Sequence, residues 1–83
     1  MPASKKIVIK ERKLGRENAL GQSYKDEGLI EIDPRQNSFD YLDTVIHETL
    51  HVLFPELTER QVISKSKKMA KVLWKLHYRR VHN

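Results

Sequence analysis

The chain has 83 residues, no cysteine and a formal net charge of +5. That length allows one domain with a modest core, so a bound metal would contribute to folding as well as to chemistry. The lack of cysteine excludes disulfides, thiolate metal sites and cysteine nucleophiles, and leaves His, Asp and Glu as the only metal ligands.

No apolar stretch approaches the roughly 20 residues of a membrane span. Met1 to Lys6 leads into a strand-like run without the apolar region of a signal peptide, so the expectation is a soluble cytoplasmic protein. Lys and Arg are spread between an N-terminal group (Lys5, Lys6, Lys10, Arg12, Lys13, Arg16) and the outer face of a C-terminal helix. No Gly-rich or aromatic-studded basic motif accompanies them, so a solvated lysine-rich surface is preferred to a nucleic-acid site.

In chain order, Lys6-Ile7-Val8-Ile9-Lys10 is β-branched and reads as a strand. Arg12 to Glu17, with Gly15, reads as a connection. Ala19 to Lys25 alternates, with Leu20, Gln22 and Tyr24 on one side. Asp26-Glu27-Gly28 signals a turn, and Leu29 to Asp33 follows with Ile30 and Ile32 facing together. Pro34 ends that run because it has no N–H for a ladder. The expectation over about residues 6–34 is a small antiparallel three-stranded sheet.

A helix is expected over about 38–54, capped by Asn37 or Ser38. Phe39, Leu42, Ile46, Leu50 and Leu53 recur at helical spacing, and Val45, Val52 and Phe54 widen the stripe until the helix must be covered on most sides. The remaining lane holds Asp40, Thr44, His47, Glu48 and His51. Pro55 forces the helix to stop. A second helix is expected over about 58–80, opened by a Thr58–Gln61 capping box. It places Val62, Ile63, Met69, Ala70, Leu73, Trp74 and Leu76 on one broad face. Lys65, Lys67, Lys68, Lys71, Lys75 and Arg79 fall on the other. The sum is a single α+β domain: a sheet followed by two packed helices.

Residues 47–51, His47-Glu48-Thr49-Leu50-His51, form an H-E-x-x-H motif. Histidines four apart lie on one helix face and can reach one zinc ion, and the intervening glutamate is placed to polarise a water there. A catalytic zinc usually takes three protein ligands. The wheel puts Glu59 within the apolar face of the second helix, where a carboxylate would be partly buried and costly unless paired or bound to a cation. The Pro55 turn returns it beside His51, so Glu59 is the preferred third ligand and Glu56, on the turn, its rival. In the first turn Glu59 also favours the helix dipole. His77 shares its angular position but lies roughly 27 Å away at 1.5 Å per residue, so His77 and His82 are read as surface or packing residues. Asp40 and Asp43 suit either orientation of a histidine or the helix dipole.

Strands followed by an H-E-x-x-H helix resemble the zincin metallopeptidases, in which the strand before the helix is a sheet edge that holds extended peptide. Leu29 to Asp33 would take that place. The metzincin extension would need Gly at position 54 and His at 57, where this chain has Phe54 and Leu57, and a thermolysin-like second glutamate helix is missing. The closer resemblance is to very small zincin-like proteins of phages and prophages, carried by His47, Glu48, His51, Pro55, Glu59, Val62 and Leu73-Trp74, over about Ile7 to Arg80. It implies zinc on His47, His51 and Glu59, with Glu48 as general base of peptide hydrolysis. Larger zincins add a second subdomain that supplies a Tyr or His to stabilise the oxyanion; this chain has little left for one, and Tyr24, Tyr41, Tyr78 and His77 are the candidates for that role. The expected function is a zinc metallopeptidase acting on protein or peptide. The alternative is a protein-binding module with a structural or vestigial metal site, and a weaker third reading associates the basic helix face with nucleic acid.

Overall fold

The computed structural model describes residues 6–15 and 19–81. Lys5, Arg16, Glu17 and His82, named above, lie outside the described residues. Three strands, β1 (Val8–Glu11), β2 (Gly21–Tyr24) and β3 (Leu29–Ile32), precede two helices, α1 (Ser38–Leu53) and α2 (Glu59–Lys75).

The sheet order is β1-β3-β2, and β3 is central. β2 and β3 form the expected antiparallel hairpin, with Gly21 opposite Ile32 and Tyr24 opposite Leu29. Gly28 closes its turn at φ 65°, a conformation open to glycine without a Cβ penalty. β1 corrects the expectation of a wholly antiparallel sheet: it runs parallel to β3, with Ile9 opposite Ile30. The cause lies in the connection that follows β1. It crosses the end of β3 to start β2 on the far side, and the hairpin then returns the chain between the two.

Asp33 anchors that crossing. Its carboxylate accepts from the Leu14 N–H at 2.9 Å and from the Arg35 N–H at 3.0 Å, and holds the Arg35 guanidinium through two further bonds of 2.9 and 2.6 Å. Asp33 is buried, and these donors, the Arg35 side chain foremost, hold its carboxyl far below the usual carboxylate range. Leu14, in a stretch expected to be only a connection, is fully buried.

α1 is the middle layer, which accounts for its broad apolar arc. Toward the sheet, Val52 packs with Ile30 and Ile32, flanked by Ile7, Tyr41 and Val45. Toward α2, Ile46 and Leu50 meet Val62 and Ala70. Each Val, Leu or Ile among them stabilises the fold by about 1.5–3 kcal/mol when fully buried. Among the described residues no helix covers the opposite face of the sheet; there Glu31 bonds Arg12 at 2.8 Å and lies 3.1 Å from the Tyr24 hydroxyl.

Asn37 caps α1 by accepting from the Asp40 N–H, and the Thr58–Gln61 capping box opens α2. α2 ends at Lys75 rather than near Arg80. His77 adopts φ 70°, and the Tyr78 and His77 amides bond back to the Leu73 and Trp74 carbonyls at 3.0 and 2.9 Å. This is a Schellman closure, with histidine where glycine is usual. The released tail folds back: the Arg80 guanidinium lies 4.1 Å from the Tyr41 ring centroid and bonds Glu11 at 2.6 Å. No helix among the described residues is long and apolar enough to cross a membrane.

Candidate metal centre

His47 and His51 lie one turn apart near the C-terminal end of α1, with ring centroids 4.9 Å apart. α1 stops two residues past His51, where the Phe54 N–H bonds the Leu50 carbonyl at 2.8 Å and Pro55 prevents continuation. A turn follows, and the Thr58 cap starts α2 at Glu59. The short connection thereby returns Glu59 to the histidines.

Three ligand atoms converge there. His51 Nε2 lies 2.6 Å from Glu59 Oε1, and His47 Nε2 lies 3.2 Å from both. Adjacent ligand atoms in a tetrahedral zinc site, with bonds of about 2.0–2.1 Å, are roughly 3.3 Å apart. Two sides of the triangle match that edge. Its circumscribed circle is also smaller in radius than such a bond, so one ion can touch all three atoms. The donor set, two imidazoles and a carboxylate, is that of catalytic zinc sites of the His₂Glu type. Glu56 and His77 do not join the group, and no fourth His, Asp or Glu does so among the described residues.

Burial is uneven. The His47 and His51 side chains are 19% and 15% exposed, but that of Glu59 is 63% exposed. The expectation of a partly buried Glu59 is corrected: the buried line of α2 begins only at Val62, one turn further on. What brings Glu59 to the site is the Pro55 turn. His51 Nδ1 is buried without a hydrogen-bond partner, so the polar contacts of that ring are made through Nε2. Neither aspartate bonds a histidine. Asp40 serves the Asn37 cap, and Asp43 accepts from Lys67 Nζ at 2.8 Å.

A cleft of ≈ 320 Å³ opens beside His47. One wall is Asp43, Thr44, His47 and Glu48 on α1; the other is Ala19, Leu20 and Gly21 at the start of β2. Glu48 is buried, only 8% exposed, and packs against Gly21. The edge strand beside this cleft is β2. β3, expected to be that edge, is paired on both sides. The Asp33 N–H bonds the Leu20 carbonyl at 2.9 Å, which makes residues 20 and 33 a hydrogen-bonded pair. By the alternation of an antiparallel ladder, the N–H and C=O of Gly21 and Ser23 then point to the free edge.

Thr44 stands in the polar lane read from the sequence, but Leu20 and Gly21 were missed as walls of the cleft. A glycine opening a strand is the one signal that points there, since it marks close backbone approach. None of the four oxyanion candidates lines the cleft. Tyr24 is on the uncovered face of the sheet, Tyr41 bonds Glu11, Tyr78 borders a separate hollow with Tyr41 and Arg80, and His77 lies past the end of α2.

Comparison of the chain with protein-family models, with curated proteins and with solved structures finds no significant match.

Proposed function

We propose that this protein is a zinc-dependent hydrolase of peptide bonds, with His47, His51 and Glu59 holding the metal. The observation that carries the reading is the convergence of those three ligand atoms, one of them on His47, which lines a cleft together with Glu48. Three protein ligands with a position left for water characterise catalytic zinc sites, whereas structural sites are closed by four. When bound, zinc supplies Lewis acidity and lowers the pKa of a water in its open position to about 7.

The protein's own groups do the rest. Glu48 takes the proton from the attacking water and passes it to the leaving amine. Its burial against Gly21 limits its motion and keeps bulk water from competing for that proton. The outward N–H and C=O groups of Gly21 and Ser23 pair with an extended substrate, as strand addition requires. A cytoplasmic setting belongs to the same proposal.

The test is Glu48→Gln beside His47→Ala, with zinc content and peptide hydrolysis measured on both. Glu48→Gln keeps zinc and loses turnover; His47→Ala loses both. Unchanged turnover in Glu48→Gln would end the mechanism.

One observation favours a second reading, a protein-binding module with a structural or vestigial metal: no tyrosine or histidine of the oxyanion candidates reaches the cleft. That reading predicts zinc-dependent stability with no hydrolysis in the wild type.

A further inference from the structure

The outer flank of α2 carries apolar side chains that the fold leaves uncovered. Met69, Val72 and Leu76 are 46%, 58% and 63% exposed. At 100° per residue they form one stripe, beside the buried line of Val62, Ser66 and Ala70 that packs on α1. Two hollows open along this flank. One, of ≈ 330 Å³, lies among Lys68, Met69, Val72 and Leu73. The other, of ≈ 310 Å³, is lined by Leu50, Phe54, Leu57 and Lys65. Lys65, the one α2 residue of the second hollow, lies roughly 8 Å along the helix from the middle of the first at 1.5 Å per residue. Side chains one to two turns apart on a second helix, roughly 6–10 Å, would enter both.

Charge identifies the occupant. Lys65 and Lys68 border the hollows and Lys75 continues their side of the stripe. None of the three is paired with a carboxylate among the described residues. The one acid of α2, Glu59, faces the histidines. A second copy of this chain would set the same lysines against each other. Nucleic acid would satisfy the lysines but leave Met69, Val72 and Leu76 without apolar contacts. We infer that this flank is a docking site for an acidic amphipathic helix of another protein, with two apolar anchors in the hollows and carboxylates against Lys65, Lys68 and Lys75.

The experiment is affinity selection on the full-length chain from a peptide library. Each peptide is helical, with Glu and Asp at fixed rim positions and apolar residues varied along one stripe. Enriched peptides are then titrated against the wild type, against Val72→Glu, and against a Lys68→Glu/Lys75→Glu variant. All three substituted side chains are exposed, so folding is preserved. Binding is expected to weaken about tenfold or more in both variants. Versions of the peptides with Lys at the rim should recover binding to the charge-reversed chain alone. Several results would overturn the inference: no enrichment over a scrambled library, binding indifferent to Val72→Glu, or displacement of the peptide by a DNA oligonucleotide or by anionic vesicles at equal ionic strength.

Discussion

His51 Nε2 and Glu59 Oε1, carried by different helices, lie 2.6 Å apart across the turn at Pro55. Glu59 is well exposed, and under the proposed function this contact belongs to a zinc ligand set. Glu59→Ala should therefore fold normally yet weaken zinc by more than the roughly 10- to 100-fold that losing an outer-shell partner costs. Glu56→Ala, outside the converging group, should leave zinc affinity unchanged. Competition with a chromophoric chelator measures both. Equal losses in the two variants would make the turn, not Glu59, the source of the third ligand.

Gly21 is fixed by the closeness of β2 to α1. A Cβ there would lie 2.6 Å from Thr44 Cγ2 and 3.0 Å from Glu48 Cγ. Thr44 cannot rotate away freely, because its hydroxyl donates to Gln36 Oε1 at 2.7 Å. Gly21→Ala should then destabilise by about 1–3 kcal/mol through overpacking and displace Glu48. Adding Thr44→Ser removes the obstructing methyl and keeps the hydroxyl, so the double variant should regain much of the loss in urea unfolding. No rescue would mean that Glu48, not Thr44, bears the contact.

What the sequence made legible was local. Helix starts are written within four residues, as at Asn37 and Thr58–Gln61, and the motif's four-residue spacing places both histidines on one face whatever the tertiary fold. The direction of β1 was not legible, because it depends on a buried carboxylate at Asp33 gathering donors from Leu14, 19 positions earlier. The end of α2 was missed for a different reason: no glycine marks it. The exposure of Glu59 escaped the helical wheel because a wheel describes angle and not height along the axis, and the first turn precedes the buried line that begins at Val62.

His77 occupies the left-handed region at the end of α2 with an exposed side chain. Residues other than glycine are held there at a cost of roughly 1–2 kcal/mol. Glycine avoids that cost but gains unfolded-state entropy, so His77→Gly should stabilise by about 0.5–1 kcal/mol net. For a domain of this size that is a rise in Tm of a few degrees, on the order of 4–8 °C per kcal/mol. Because the Tyr78 N–H to Leu73 bond is retained, the tail contacts of Arg80 should persist. A drop in Tm would show that the imidazole itself holds the turn.

Asp33 makes stability depend on acid in a predictable window. Its folded pKa is depressed below the ordinary 3.8, chiefly by the Arg35 guanidinium and then by the Leu14 and Arg35 amides. A depressed acid binds its proton more readily unfolded, so its contribution is complete above the unfolded pKa. It is lost progressively as pH falls below about 4 toward the folded value. Asp33→Asn keeps one acceptor oxygen but replaces the other with an amide that cannot accept from Leu14 or Arg35. The variant should be less stable than wild type at pH 7, and the gap should close on acidification below about pH 4. Thermal melts from pH 7 to pH 2 test this directly. A constant gap across that range would show that Asp33 ties the β1–β2 connection by shape alone, with its charge contributing nothing.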